Sequence, residues 1–230
     1  LPVSAIRDFA DPSVDPPARG FLHVPETPNG DALVLTHGAG ANAQAPLLRA
    51  LADTFATAGY TVLRCNLPYR QARSFGPPGP GDAARDRAGL KNAITALKNS
   101  LDFGPDQHKD ARIFLGGHSY GGRQSSMLCA EEPDLVAGLL LLSYPLHPPR
   151  KPEQQRTQHL PDLRTPTLFV QGTRDPFGSI EEIQRAIKMI PAKTKLLAVE
   201  GAGHDLGFKG KKEDLPKQIV SAFTVFFGDL

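Results

Sequence analysis

The sequence predicts an α/β fold, a mainly parallel central sheet flanked by helices on both faces. Three observations carry this. Residues 32–37 and 136–144 are short apolar runs, the pattern of strands buried on both faces, and 60–66 and 167–172 read as further short strands. Segments with helical spacing of apolar residues alternate with them, as right-handed crossovers between parallel strands require. A further apolar run from Arg112 passes through a glycine-rich turn directly into a helix. At 230 residues the chain suits one domain spanning 1–230 better than two small ones.

In chain order, Val3 to Ile6 and Gly20 to Val24 read as one or two short edge strands, separated by Asp11-Pro12 and Pro16-Pro17. Pro28-Asn29-Gly30-Asp31 is a turn signal, and the strand 32–37 follows it. From Pro46 to Ala58, the residues Leu47, Leu48, Leu51, Phe55 and Ala58 recur at helical spacing, closed by Gly59. The strand 60–66 comes next, then an irregular Pro/Gly loop over 74–81. A helix opens at Asp82 and runs to roughly Leu101, with Leu90, Ala93, Ile94 and Leu97 on one stripe. The strand from Arg112 is followed by a helix over 123–131, a strand over 136–144, a proline-rich polar segment over 145–166 and a strand over 167–172. A helix over 179–190, a last strand over 195–200 and a helix over 214–227 complete the chain.

Composition narrows the function classes. Hydrophobic residues make up 40% and charged residues 22% of the chain, ordinary for a globular protein. A formal charge of +2 with no Lys/Arg stripe gives no reason to expect nucleic acid, and Lys209–Lys212 reads as a solvated loop. No apolar run reaches the ~18 residues of a membrane span. Cys65 and Cys129 lie on a strand and a helix and read as buried free thiols, which favours a reducing, cytoplasmic location. Metal-ligand spacing of Cys and His is absent from the sequence. The chain begins at Leu1 rather than Met, which fits a removed leader or tag, and no targeting segment is read in the rest.

The chemistry centres on Gly117-His118-Ser119-Tyr120-Gly121, a G-x-S-x-G pattern between strand and helix. Such a turn strains the serine, and Gly117 and Gly121 supply the missing side chains it needs, with Gly116 and Gly122 relaxing it further. A plain reading is a glycine turn that merely contains a serine. The rest of the chain argues otherwise. Ligands in such sheets bind outside the carboxyl ends of the strands. After the strand 167–172 comes Thr173-Arg174-Asp175-Pro176-Phe177, and after 195–200 comes Gly201-Ala202-Gly203-His204-Asp205. Serine, then aspartate, then histidine is the order of a hydrolase triad. Ser119 would attack a carbonyl, His204 would take and return the proton, and Asp175 would hold the imidazole tautomer. The oxyanion donors are assigned to the backbone N–H groups of Tyr120, after the nucleophile, and Ala39, in the His37-Gly38-Ala39-Gly40 loop.

The rivals fit less well. Asp175 before Pro176 could initiate a turn, His204 could be a loop histidine, and Asp205 sits awkwardly beside His204. His118 is expected to point away from Ser119, while His23 and His108 lie off the active edge and His159 in the proline-rich segment. Gly38-Ala39-Gly40-Ala41-Asn42-Ala43 matches a dinucleotide fingerprint, with Arg64 conceivable on a 2′-phosphate. The acidic residue of that fingerprint is missing, and the reading leaves the serine turn without a role. A P-loop motif is absent. No cofactor is expected.

These residues resemble the α/β-hydrolase superfamily, over roughly Ala32 to the C-terminus. Thr36-His37-Gly38-Ala39-Gly40, Leu63-Arg64-Cys65-Asn66-Leu67-Pro68-Tyr69, Gly121-Gly122-Arg123 and Tyr144-Pro145-Leu146-His147-Pro148-Pro149 are similar to a small cap-less, dienelactone-hydrolase-like branch. That branch includes testis-expressed proteins and a regulatory subunit of a histone acetyltransferase complex. Dienelactone hydrolases proper use cysteine where Ser119 stands, so the resemblance implies hydrolysis of esters, thioesters or lactones in general. Some relatives act as scaffolds, which keeps a non-catalytic binding protein as the alternative. The segment 145–166 carries Pro145, Pro148, Pro149, Pro152 and Pro161, too proline-rich for a helical cap. An open cleft walled by Tyr69, Phe75, Tyr144, His147 and Phe177, with His37 shaping the oxyanion loop, is expected to take a small acyl substrate. Arg70 and Arg73 are placed at its rim as a solvated loop rather than an anion site.

Overall fold

The computed structural model describes residues 5–100, 111–207 and 214–228. Val3, Ser4, Leu101, His108 and Lys209–Lys212 therefore lie outside the described residues. Eight strands are hydrogen-bonded in the order β1-β2-β4-β3-β5-β6-β7-β8, and contacts divide the chain into two units, Leu1–Leu115 and Gly116–Leu230, inside β5.

In the first unit, β1 (Ala5–Asp11) runs antiparallel to β2 (Ala18–Val24), and β2 antiparallel to β4 (Thr61–Cys65). The proline-rich start thus forms two full strands, but of the edge strands expected there β1 alone is at the edge; β2 lies inside the sheet, hydrogen-bonded to β1 on one side and β4 on the other. Strand β3 (Ala32–Thr36) is parallel to β4, with Val34 opposite Leu63. β5 (Ile113–His118) begins beside β3, where the Ala32 N–H donates to the Arg112 carbonyl at 2.9 Å. Strands β3 and β4 are buried along their whole length, β3 as its apolar run requires and β4 even at Arg64.

Helix α1 (Pro46–Thr57) starts on a proline whose missing N–H costs nothing at the first turn. It buries Leu47, Leu48, Leu51, Ala52, Phe55 and Ala56, and Gly59 at φ +93° ends the connection where a side chain would be strained. A short helix α2 (Pro68–Ala72) lies in what reads in the sequence as loop. Five residues hold too few turns to show a period, so only its N-terminal proline announced it. Helix α3 (Asp82–Ser100) completes the unit.

In the second unit, β6 (Gly138–Leu142), β7 (Thr167–Gly172) and β8 (Thr194–Val199) are parallel, with Leu141 opposite Phe169 and Val170 opposite Leu197. β8 is the edge strand and is half exposed, which explains Lys195 within it. Helices α4 (Tyr120–Glu131), α5 (Ile180–Ile187) and α6 (Leu215–Gly228) follow β5, β7 and β8. α5 opens on a capping box between Ser179 and Glu182. Between β6 and β7 the only helical element among the described residues is one 3₁₀ turn, Leu160–Asp162, so no cap stands there. Cys65 and Cys129 are buried free thiols, each pushed up to about 12 by burial. Among the described residues no helix is long and apolar enough to cross a membrane.

Arg64 is buried in β4. Its Nε donates to His23 Nε2 at 2.7 Å, its Nη1 donates to the Ala43 carbonyl, and its guanidinium lies over the Phe21 ring. Such a committed side chain has no place on a nucleotide phosphate. Because His23 Nε2 accepts from Arg64, the imidazole proton sits on Nδ1, 3.1 Å from Asp53 Oδ1. Burial, and then the Arg64 charge, depress the His23 pKa to about 4. The unfolded chain binds this proton below about pH 6.5 while the folded one refuses it. Stability should therefore be full above pH 6.5 and fall as the pH drops toward 4. Urea midpoints measured between pH 7 and 4.5 should show this loss, and His23→Gln should flatten the slope; an unchanged slope in that variant contradicts the account.

Candidate active site

Ser119 stands between β5 and α4 with φ +51° and ψ −116°, a conformation that side chains rarely adopt. Two features hold it there. The Ser119 N–H donates to the Leu142 carbonyl at 2.8 Å, so the ladder at the end of β6 grips the turn. Gly117 approaches the first turn of α4 so closely that a Cβ on it would lie 2.5 Å from the backbone of Gly121 and Gly122. Gly117 is required by this close approach rather than by its own dihedral angles. The strain is local, and the surrounding backbone leaves it no relief.

β7 and β8 bring two loops to the same edge of the second unit. Gly172 ends β7 against the carbonyls of Ala202 and Gly203, where a Cβ would collide with backbone. The Thr173 N–H donates to the Val199 carbonyl and the Arg174 N–H to the Ala202 carbonyl, at 3.1 and 2.8 Å. This lacing places Asp175 against His204. The His204 Nδ1–H donates to Asp175 Oδ2 and Oδ1 at 2.8 and 3.0 Å, and the Ser119 hydroxyl donates to His204 Nε2 at 2.8 Å. The carboxylate fixes the tautomer, since it can only accept. Ser119, His204 and Asp175, drawn from loops up to 85 residues apart, thus form one hydrogen-bonded chain.

Asp175 is fully enclosed, and its oxygens are held from behind. The Phe177 N–H donates to Oδ1 at 2.9 Å and the Gln171 Nε2–H donates to Oδ2 at 3.0 Å, while Gln171 also donates to the Gly178 carbonyl. A buried charge needs such partners. Gln171 escaped the sequence reading; its signal was a lone amide in an otherwise apolar strand. Phe177, expected as a pocket wall, stacks on the His204 ring with centroids 4.1 Å apart. His118 departs from expectation. It turns toward the site, with its Nε2–H donating to the His204 carbonyl at 2.8 Å and its ring 5.4 Å from that of His204. Burial lowers its pKa, which keeps it neutral.

Tyr120 is the first residue of α4. Tyr144 is buried behind β6 with its hydroxyl donating to the Arg156 carbonyl at 2.8 Å, and burial pushes its pKa up to about 12. His147 is buried too, its nitrogens 2.8 Å from the Pro148 carbonyl and 3.3 Å from Glu182 Oε2.

The remaining residues singled out in the sequence belong to the first unit. His37 is fully enclosed, with Nε2 accepting from the Leu67 N–H and Nδ1 on the Gly38 carbonyl. The Tyr69 hydroxyl donates to the Ala39 carbonyl at 2.8 Å. Arg70 is not the solvated residue expected. It is buried and donates to the carbonyls of Ala39, Ala41, Arg73 and Gly76, so it clamps the loop that carries Ala39. Arg73 pairs with Asp82, and Phe75 is exposed. Among the described residues no group of His, Cys, Asp and Glu could hold a metal ion.

Residues 29–225 match the family described as an alpha/beta hydrolase domain. The chain is similar to the crystal structure of a dienelactone hydrolase from Anabaena variabilis, at 19% identity and a TM-score of 0.70 over 97% of this chain and 98% of that one. It is similar to an α/β serine hydrolase without a lid from Xanthomonas campestris, at 15% identity and a TM-score of 0.66 over 97% and 96% of the two chains. An esterase from Pyrococcus furiosus matches at 17% identity and a TM-score of 0.74 over 98% and 91%. At these identities the likeness is one of fold.

The strain at Ser119 has a measurable consequence. Ser119→Ala and Ser119→Gly both lose the hydrogen bond to His204, but only glycine relaxes φ +51°. Strain of about 1–3 kcal/mol, less the roughly 0.5–1 kcal/mol entropic penalty of glycine, leaves Ser119→Gly more stable by about 1 kcal/mol. Urea unfolding of the two variants checks this; equal midpoints would show an unstrained turn.

Proposed function

Since the chain belongs to the alpha/beta hydrolase domain family, we propose that it is a serine hydrolase cleaving the carboxylic ester, thioester or lactone of a small substrate through an acyl-enzyme on Ser119. The observation that carries this is the hydrogen-bonded chain from Ser119 through His204 to the enclosed Asp175. The esterase and the lid-less serine hydrolase among the similar structures support it.

A serine hydroxyl is a poor nucleophile until a base removes its proton. His204 Nε2 takes that proton as Oγ bonds to the substrate carbonyl carbon, and the carbonyl oxygen becomes the oxyanion. Asp175 stays ionised and stabilises the imidazolium, with Gln171 and Phe177 N–H holding its oxygens in place. The Tyr120 N–H at the start of α4 is the oxyanion donor in this unit, aided by the helix dipole. The second donor assigned from the sequence is the Ala39 N–H, on the loop that Tyr69 and Arg70 hold by its carbonyls. Collapse of the intermediate breaks the bond to the leaving group, which takes the proton from His204. Water then repeats the sequence on the acyl-enzyme and releases the acid.

A fluorophosphonate probe should add one phosphonyl group per chain at Ser119, and Ser119→Ala should take up none. Folded wild-type protein that resists the probe would overturn the assignment. Asp175→Asn should keep the fold and lower ester turnover by about 10⁴, the size of that change in the serine-protease triad. A loss under tenfold would show that His204 does not depend on Asp175.

A further inference from the structure

Phe177 is half-buried, yet its backbone is fixed on both sides. Its N–H donates to Asp175 Oδ1 at 2.9 Å, and its carbonyl accepts from the His147 N–H at 3.0 Å. The next carbonyl, that of Gly178, accepts from Gln171 Nε2 at 3.1 Å. His147 is anchored in turn, with Nδ1 2.8 Å from the Pro148 carbonyl and Nε2 3.3 Å from Glu182 Oε2. That carboxylate oxygen also caps α5, accepting from the Ser179 N–H at 2.9 Å. These bonds deliver the Phe177 ring to one place, the face of His204, with centroids 4.1 Å apart and planes at 29°.

Two neutral aromatic rings gain most from offset or edge-on contact, with centroids about 4.5–7 Å apart. Tyr144 and Phe169 meet in that way, edge-on at 5.9 Å. The closer, nearly parallel stack at His204 suits a different pair, a cation lying over the negative face of a π system. In the proposed reaction His204 becomes that cation as it takes the Ser119 proton. Its two nitrogens are engaged at the ring edge by Asp175 and Ser119, so Phe177 acts on the ring's face. The competing role, a plain apolar lid, has the opposite sign. Covering an imidazole with apolar atoms disfavours its charged form, whereas a π face favours it.

We propose that Phe177 is a positioning residue whose ring face stabilises the His204 imidazolium during turnover. Its use in turnover rests on the hydrolase reading; the contact between ring and imidazolium does not. Mono-, di- and trifluorophenylalanine placed at position 177 keep the shape of the ring while draining its negative face. Across this series the pH midpoint of His204 protonation, followed by its imidazole NMR signals, should fall stepwise. The trifluoro ring should lower it by about half a pH unit. Asp175, His118 and Asp205, on the loops after β7, β5 and β8, are the same in every member, so their charges cancel from the comparison. Phe177→Leu should lower the midpoint as well, and Phe177→Tyr, which keeps the π face, should hold it at the wild-type value. In hydrolysis of p-nitrophenyl acetate, kcat should fall about two- to fivefold along the fluorinated series with KM unchanged, because the cation forms only as the proton moves. A midpoint that ignores fluorination, or rises in Phe177→Leu, makes Phe177 an apolar lid and overturns the proposal. A midpoint that moves while kcat does not overturns the role in turnover. If the midpoint moves but wild type leaves the ester intact, the hydrolase reading falls and the stabilising contact stands.

Discussion

The close approach of Gly117 to Gly121 and Gly122 is the constraint from which the site follows. Any side chain at position 117 would push the start of α4 away from the end of β5. With the gap closed, the backbone must turn within one residue, and Ser119 takes the strain at φ +51°. The same turn directs the Ser119 N–H to Leu142 and the Ser119 hydroxyl to His204. One packing contact thereby sets the backbone of Ser119, its anchoring to β6 and its hydrogen-bond partner.

The opposite end of the hydrogen-bonded chain depends on a different device. Asp175 is enclosed and must be solvated by protein, which Gln171 and the Phe177 N–H do from two sides. Its rigidity passes to His204, whose ring is further pinned by Phe177 stacking on its face and by His118 gripping its own backbone carbonyl. Three residues outside the Ser119–His204–Asp175 chain of hydrogen bonds thus fix the imidazole. In the hydrolase proposed above, preorganisation of this kind would supply much of the rate, because no group has to move as charge develops.

Much of this was legible in the chain. Unbroken runs such as Leu139-Leu140-Leu141-Leu142 announce strands covered on both faces, and β6 is buried throughout. The order Ser119, Asp175, His204 was readable because each follows a strand and the fold brings strand ends together. The alpha/beta hydrolase domain match and the single 3₁₀ turn between β6 and β7 agree with the fold class and the absent cap read from the sequence. What escaped depends on three-dimensional contact. Arg70 reads as a loop charge, yet it satisfies carbonyls of a loop 29 to 31 residues away, and no local pattern encodes that. His118 looked misdirected because the sequence does not tell where the His204 loop crosses it. α2 was too short to show a helical period, and its proline start was ambiguous among so many prolines.

The central claim is that Ser119 forms a covalent bond to the acyl group during turnover. Rapid mixing of the protein with p-nitrophenyl acetate, followed by acid quench and peptide mass analysis, tests it most directly. The account predicts a stoichiometric burst of nitrophenolate and an acetyl group on the peptide containing Ser119, both lost in Ser119→Ala. Turnover with no acetylated Ser119, or undiminished turnover by Ser119→Ala, would contradict it.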